Sequence, residues 1–348
     1  MRDAAIIAAL VCLAVASTGT ALAQARSEIP VREVLLSDGE RRYSVPIKVG
    51  NTAIEAGLDS GSTGLRLLPG VLADGDAKGG GVSDRYSYDV GTQFDGEVGT
   101  GTLMIGDLSA PTTFQLIKKV GCRTDSPYCP ASRIPLSQFR LMGKGLPGEG
   151  FRAILGVNMA GADVASPFSA VGATRWIIEL PRPESGVPGK IIFNPGDEEV
   201  KNFTLLPIVS AYRQQKGELH DSIVGCIVNN ATKEKACGAL VMDSGAPGIA
   251  VNNSDLGRTP WPDGTAATLA FYGSDRLAAV EQFTVGLRDH ASHLSFEKTG
   301  GSGVTIYAGL SPYFAFDVLY DPSKGIVGLK PRPPAPNAPQ GALVTPTN

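Results

Sequence analysis

The chain is poor in the residues that several chemistries need. Its 348 residues include only three histidines, His220, His290 and His293, and no Gly-x-Ser-x-Gly elbow. A serine hydrolase needs an activated serine beside a histidine, so that class is disfavoured. His290 and His293 make an His-x-x-His pair. Helix-borne metal pairs use an i,i+4 spacing, so these two read as loop histidines. Charge is also scarce: charged residues make up 19% of the chain, and the formal net charge is −3 with no basic block. That balance argues against a nucleic-acid partner. The apolar run Ile6 to Ala16 is too short for a confident membrane span.

That run fits an export signal instead. Arg2 supplies a positive start, and Ala21-Leu22-Ala23 fits a small-x-small cleavage site, so residues 1–23 read as a signal peptide. An uncleaved anchor is the other reading. The chain holds five cysteines; Cys12 leaves with the signal, and Cys122, Cys129, Cys226 and Cys237 remain. An even set in an exported chain points to disulfides. Three connectivities are open, of which the local pairs Cys122–Cys129 and Cys226–Cys237 are the simplest. Each would contribute roughly 2–3 kcal/mol by closing a loop. A four-thiolate zinc site needs tighter ligand pairs, so neither metal nor cofactor is expected.

Glycine (43) and proline (25) are abundant, as in chains of many short strands joined by turns. Tyr43 to Val49 alternates, with Val45, Ile47 and Val49 on one face. Ala53 to Leu58, Glu97 to Ile105, Phe114 to Lys118, Ile177 to Leu180 and Lys190 to Phe193 also read as strands, with short helices only near Pro167 to Val171 and Ser311 to Phe316. The fold class is therefore all-β, and the length favours two domains. The Pro-rich stretch from Pro331 to Asn348 reads as a disordered tail.

The chain repeats itself in outline. One apolar strand ends in Asp59-Ser60-Gly61, and another, Ala239 to Met242, ends in Asp243-Ser244-Gly245. Each is followed later by two residues and a glycine, Ile154-Leu155-Gly156 and Tyr307-Ala308-Gly309. A single Asp-Ser-Gly is usually a turn; two, about one domain apart at strand ends, carry more. A carboxylate leaving an apolar strand needs donors or a partner. Two that face each other share one proton, giving a base and an acid in one site that can drive a water onto a peptide carbonyl. Ser60 and Ser244 can hydrogen-bond across the halves, Ser62 can donate to Asp59, and Gly61 and Gly245 let the backbone turn and bring N–H groups close.

These loops, LDSGSTGLRLLP and VMDSGAPGIAV, resemble the two catalytic loops of the pepsin-like aspartic peptidases. DGEVGTGTLMIGD, AILGV, WIIELPRPESGVPGKIIFNPGDEE and YAGLSPYFAFDVLYDPSKGIVGLKP resemble further family segments, in family order. The resemblance implies a bilobal fold: a lead-in at 24–42, an N-terminal lobe at 43–196, a C-terminal lobe at 197–330 and a central cleft. It implies an aspartic endopeptidase with Asp59 and Asp243 as catalytic pair and an extended polypeptide as substrate. A flap tyrosine falls at Tyr88, with Tyr86 its rival. Two copies of the motif in one chain make a monomer sufficient, and the signal implies a periplasmic or secreted location. Two positions depart from the family: Arg66 stands where a tryptophan is usual, and Ala246 where a hydroxyl is usual. Ala246 leaves Asp243 short of a donor, so an activity optimum less acidic than the family norm is expected. An inactive binding or inhibitor protein of the same fold is the alternative.

Overall fold

The computed structural model describes residues 25–333, except 89, 161–162, 184–185, 210–221, 275, 287–289 and 300–302. The expected signal segment with Cys12, the stretch beyond residue 333 and His220 lie outside the described residues. Within them the protein is almost entirely strand. The first half holds β1 (Ser27–Leu35), β2 (Arg41–Val49), β3 (Thr52–Asp59), β4 (Thr63–Leu67), β5 (Lys78–Ser87), β6 (Thr92–Ile105), β7 (Leu108–Cys122), β8 (Ala153–Val157), β9 (Trp176–Glu179) and β10 (Gly189–Phe193). The second holds β11 (Thr204–Pro207), β12 (Ser222–Asn229), β13 (Lys235–Val241), β14 (Ile249–Asn252), β15 (Ala266–Gly273), β16 (Arg276–Thr284), β17 (Leu294–Glu297), β18 (Thr305–Tyr307), β19 (Phe316–Asp321) and β20 (Ile326–Pro331). Three one-turn α-helices, α1 (Pro167–Ala170), α2 (Asp197–Val200) and α3 (Ser311–Ala315), and two 3-10 turns, Pro130–Ser132 and His290–Ser292, complete the described elements.

The strands form a 13-stranded and a 7-stranded sheet. The local reading holds where periodicity is clean: Tyr43, Val45, Ile47 and Val49 of β2 all point into the core. β8 and the second half of β3, from Ala56 to Asp59, are covered on both faces, which is why β8 reads as a continuous apolar run. Each lobe threads one strand between two others. In the first, β8 runs parallel to β3 and antiparallel to β4. In the second, β18 runs parallel to β13 and antiparallel to β14. The two residue-pair-plus-glycine segments read from the sequence are these threaded strands and their ends, and Gly156 sits opposite Asp59.

The lobes are joined by a shared sheet edge. β1 pairs with β10, β9 with β19, and β11 with β20, so β11, β20 and β19 of the second half continue a sheet of first-half strands through the β19–β9 pairing. Trp176 is its anchor, fully buried, stacked on Tyr320 at 5.9 Å and edge-on to Phe168 at 5.4 Å. Two expectations are corrected here. The lead-in at 24–42 contains the whole of β1 and the start of β2. The first residues of the expected tail are ordered into the sheet. Pro331 closes β20, and Arg332 donates to the carbonyls of Leu180 and Tyr313 while pairing with Asp317. Proline composition alone hid these contacts, which come from distant strands.

Both local disulfides are formed. Cys122–Cys129 staples the end of β7 to the turn that follows it, and Cys226–Cys237 bridges β12 and β13. The first backs the β5–β6 hairpin: Arg123 N–H donates to the Gly91 carbonyl at the hairpin's turn at 2.8 Å. No helix among the described residues is long and apolar enough to cross a membrane.

Candidate active site

Asp59 is the last residue of β3 and is 4% exposed. Asp243 lies two residues past β13 and is half-buried. The two carboxyls come from opposite lobes and face each other within hydrogen-bonding reach. What brings them there is a pseudo-symmetric lattice beneath. The Ser60 hydroxyl donates to Met242 O at 2.7 Å and accepts the Ser244 N–H at 2.8 Å. The Ser244 hydroxyl donates to Leu58 O at 3.1 Å and accepts the Ser60 N–H at 3.0 Å. Each serine thus bonds the residue before the opposing aspartate and the residue after it. All of this is buried, so each lost partner would leave an unsatisfied group costing about 1–3 kcal/mol.

The glycines do more than turn the chain. A Cβ on Gly61 would overlap the carboxyl of Asp243, and one on Gly245 would overlap that of Asp59. Each glycine forms one wall of the opposing carboxyl's seat. Their N–H groups serve their own aspartates, Gly61 to Asp59 Oδ1 and Gly245 to Asp243 Oδ1, both at 2.9 Å.

The symmetry stops at the next residue. The Ser62 hydroxyl donates to Asp59 Oδ2 at 2.5 Å, whereas Ala246 offers Asp243 only its N–H, at 3.2 Å. Burial pushes both carboxyls up. At Asp59 the rise is opposed by Ser62, by the Gly61 N–H and by the charge of Arg66. At Asp243 burial and then the charge of Asp59 raise the carboxyl to about 8, against the N–H groups of Gly245 and Ala246. Burial thus favours the protonated form of each carboxyl, with more opposing groups at Asp59 than at Asp243.

Above them stands the β5–β6 hairpin. Tyr88 lies at its turn, closed by Tyr88 N–H to Thr92 O at 2.9 Å. Its hydroxyl is buried without a hydrogen-bond partner among the described residues, and burial pushes it above the ordinary phenol range. Tyr86 is buried under the hairpin, edge-on to Tyr88 at 5.0 Å. Between hairpin and carboxyls is a cavity of about 390 Å³, lined on the first lobe by Phe94, Phe139, Leu141 and Ile154 and on the second by Pro247, Ala250 and Asn252. It is a mostly apolar cleft with convergent polar groups on its floor, the make-up of a ligand site.

Several residues of the site were not read from the sequence. Tyr313 bonds the Ser60 hydroxyl at 2.6 Å and Tyr320 in turn at 2.6 Å. The Asn158 amide donates to Ser60 O at 3.2 Å. A polar residue closing the apolar β8 run was the one available signal for Asn158. At one end of the cleft, fully buried Glu40 pairs with Arg42 and Lys144. Asp38, Glu40 and His290 bring ligand-type atoms within 4.8 Å of one another, but those two cations already engage Glu40. His293 is an exposed loop residue edge-on to His290.

No protein-family model and no curated protein sequence matches the chain. Among solved structures, the aspartic proteinase from Irpex lacteus matches over 88% of this chain and 97% of its own, with a TM-score of 0.57 and 14% identity. The chain has the pepsin-like fold. At this identity the likeness concerns the fold alone, and the pepsin-like fold is what holds the two Asp-Ser-Gly loops tip to tip.

Proposed function

We propose that the protein is an exported aspartic endopeptidase acting through Asp59 and Asp243. The observation that carries the reading is that two facing carboxyls sit in unequal surroundings, Asp59 with a hydroxyl and an N–H and Asp243 with two backbone N–H groups. A water between them loses a proton to Asp59 as its oxygen attacks the peptide carbonyl, and Asp243 gives its proton to the carbonyl oxygen. Collapse of the tetrahedral diol returns a proton to Asp243, and the one held by Asp59 passes to the leaving nitrogen. The substrate is a polypeptide lying extended across the cleft under the Tyr88 hairpin, and one chain supplies both aspartates. The two disulfides support an oxidising, exported location.

The test is cleavage of a denatured protein across pH, blocked by a statine-containing peptide. Asp59→Asn and Asp243→Asn should each lower the rate by about 10³-fold or more. Statine-peptide binding without any cleavage by the wild type would leave a binding protein of the same fold.

A further inference from the structure

Behind Asp59 lies a side chain that the reaction above does not use. Arg66, in the middle of β4, is 1% exposed, which is rare for an arginine. β4 is the strand that leaves the Asp59 loop, and all five of its residues are buried. The guanidinium turns back on that loop, donating from one nitrogen to Thr63 O at 2.8 Å and Gly64 O at 3.2 Å. Its face lies over the Tyr86 ring, with the guanidinium carbon 3.4 Å from the centroid. Tyr86 packs edge-on to Tyr88 at the hairpin's turn, and Ser62, in the loop that Arg66 holds, donates to Asp59. One cation thus touches both the loop that carries an aspartate and the turn end of the hairpin that covers it.

We propose that Arg66 is a positioning residue: it clamps the turn end of the β5–β6 hairpin through Tyr86 and sets a fixed positive charge behind Asp59. The proposal rests on the peptidase reading for its kinetic consequences. An arginine suits both tasks, because its planar fork bonds two carbonyls while stacking on a ring and its charge survives burial. The groups facing Asp59 are the Ser62 hydroxyl, the Gly61 N–H, Arg66 and the Asp243 carboxyl, with Tyr88 above. Arg66 draws Asp59 toward its ionised form, and Arg42 interacts instead with Asp243. The two aspartates are thereby told apart from the first lobe.

The experiment compares wild type with Arg66→Gln, which removes the charge, and Tyr86→Leu, which removes the ring and keeps the charge. Arg66→Met is the second neutral variant should Arg66→Gln fail to fold. Two readouts are taken: the pH profile of kcat/KM, and the Asp59 carboxyl midpoint by carbon-13 NMR, which needs no activity. Loss of the charge should raise the Asp59 midpoint and the acid limb together by about one pH unit. Tyr86→Leu should raise KM several-fold with the limb in place. A neutral variant that melts earlier but keeps the wild-type midpoint and KM marks Arg66 as purely structural and overturns the proposal. A shifted midpoint in a chain that cleaves nothing removes the peptidase reading and keeps the role of Arg66; normal cleavage with an unshifted midpoint does the reverse.

Discussion

The two lobes treat their buried acids differently. In the first, Asp59 has a hydroxyl, an N–H and the charge of Arg66 around it, and Glu40 is held by Arg42 and Lys144. In the second, Asp243 receives two backbone N–H groups, and Glu281 of β16 a single hydroxyl, that of Ser311 at 2.5 Å. A carboxyl with few donors in an apolar setting stays protonated. Burial pushes Asp243 to about 8 and Glu281 to about 7. On the proposed mechanism, one motif repeated in both lobes gives a base in one and an acid in the other. The surroundings assign the roles, and the Asp-Ser-Gly loops do not.

If that is so, the loops themselves should be equivalent, and the largest effect should be the same from either side. Gly61→Ala pushes a methyl into Asp243, and Gly245→Ala one into Asp59. Each displaces a carboxyl by a fraction of an ångström or more, and each should lower kcat/KM by about 10²-fold. Steady-state kinetics on both variants checks this. A wild-type rate from either would break the reciprocal packing.

The second lobe's shortage of donors should appear in stability. The unfolded chain ionises Glu281 near 4.5, while the folded chain keeps it protonated to about 7. The stabilisation is complete below the lower value and is lost as pH rises through the upper one, about 3 kcal/mol in all. Glu281→Gln does not titrate. Denaturant midpoints should therefore fall less between pH 4 and pH 8 in the variant than in wild type. Equal falls would place an unseen donor at Glu281.

The smallest effect sharpens the comparison most. Ala246→Thr gives Asp243 the hydroxyl that Asp59 has in Ser62. It should lower the alkaline limb of kcat/KM, set near 8 in wild type, by about one pH unit. An unmoved limb would mean that donor count does not separate the two acids.

The sequence disclosed the parts of this arrangement that are local. The two Asp-Ser-Gly loops, the apolar strands before them and the threaded β8 and β18 follow from short apolar runs ended by turn residues. The difference between Ser62 and Ala246 was likewise visible as a missing hydroxyl. What stayed hidden depends on partners far along the chain. Gly61 and Gly245 looked like turn residues, and their contact with the opposite carboxyl exists only once the lobes meet. Arg66 looked like a departure from the family's tryptophan, but its burial against Tyr86 needed the hairpin in place. β1 carries a proline and β5 three successive glycines, so neither reads as a strand, and sheet pairing overrides both. Glu281 alternates like any strand residue and showed no sign of its apolar surroundings.

The whole reading comes down to where one proton sits. Carbon-13 labelling of the aspartate carboxyls, followed by NMR from pH 2 to pH 10, observes it directly. Asp59 should ionise first, and Asp243 should hold its proton until near pH 8. Two carboxyls that ionise together in the ordinary aspartate range would mean that they do not share a proton, and the proposed peptidase mechanism would fall with it.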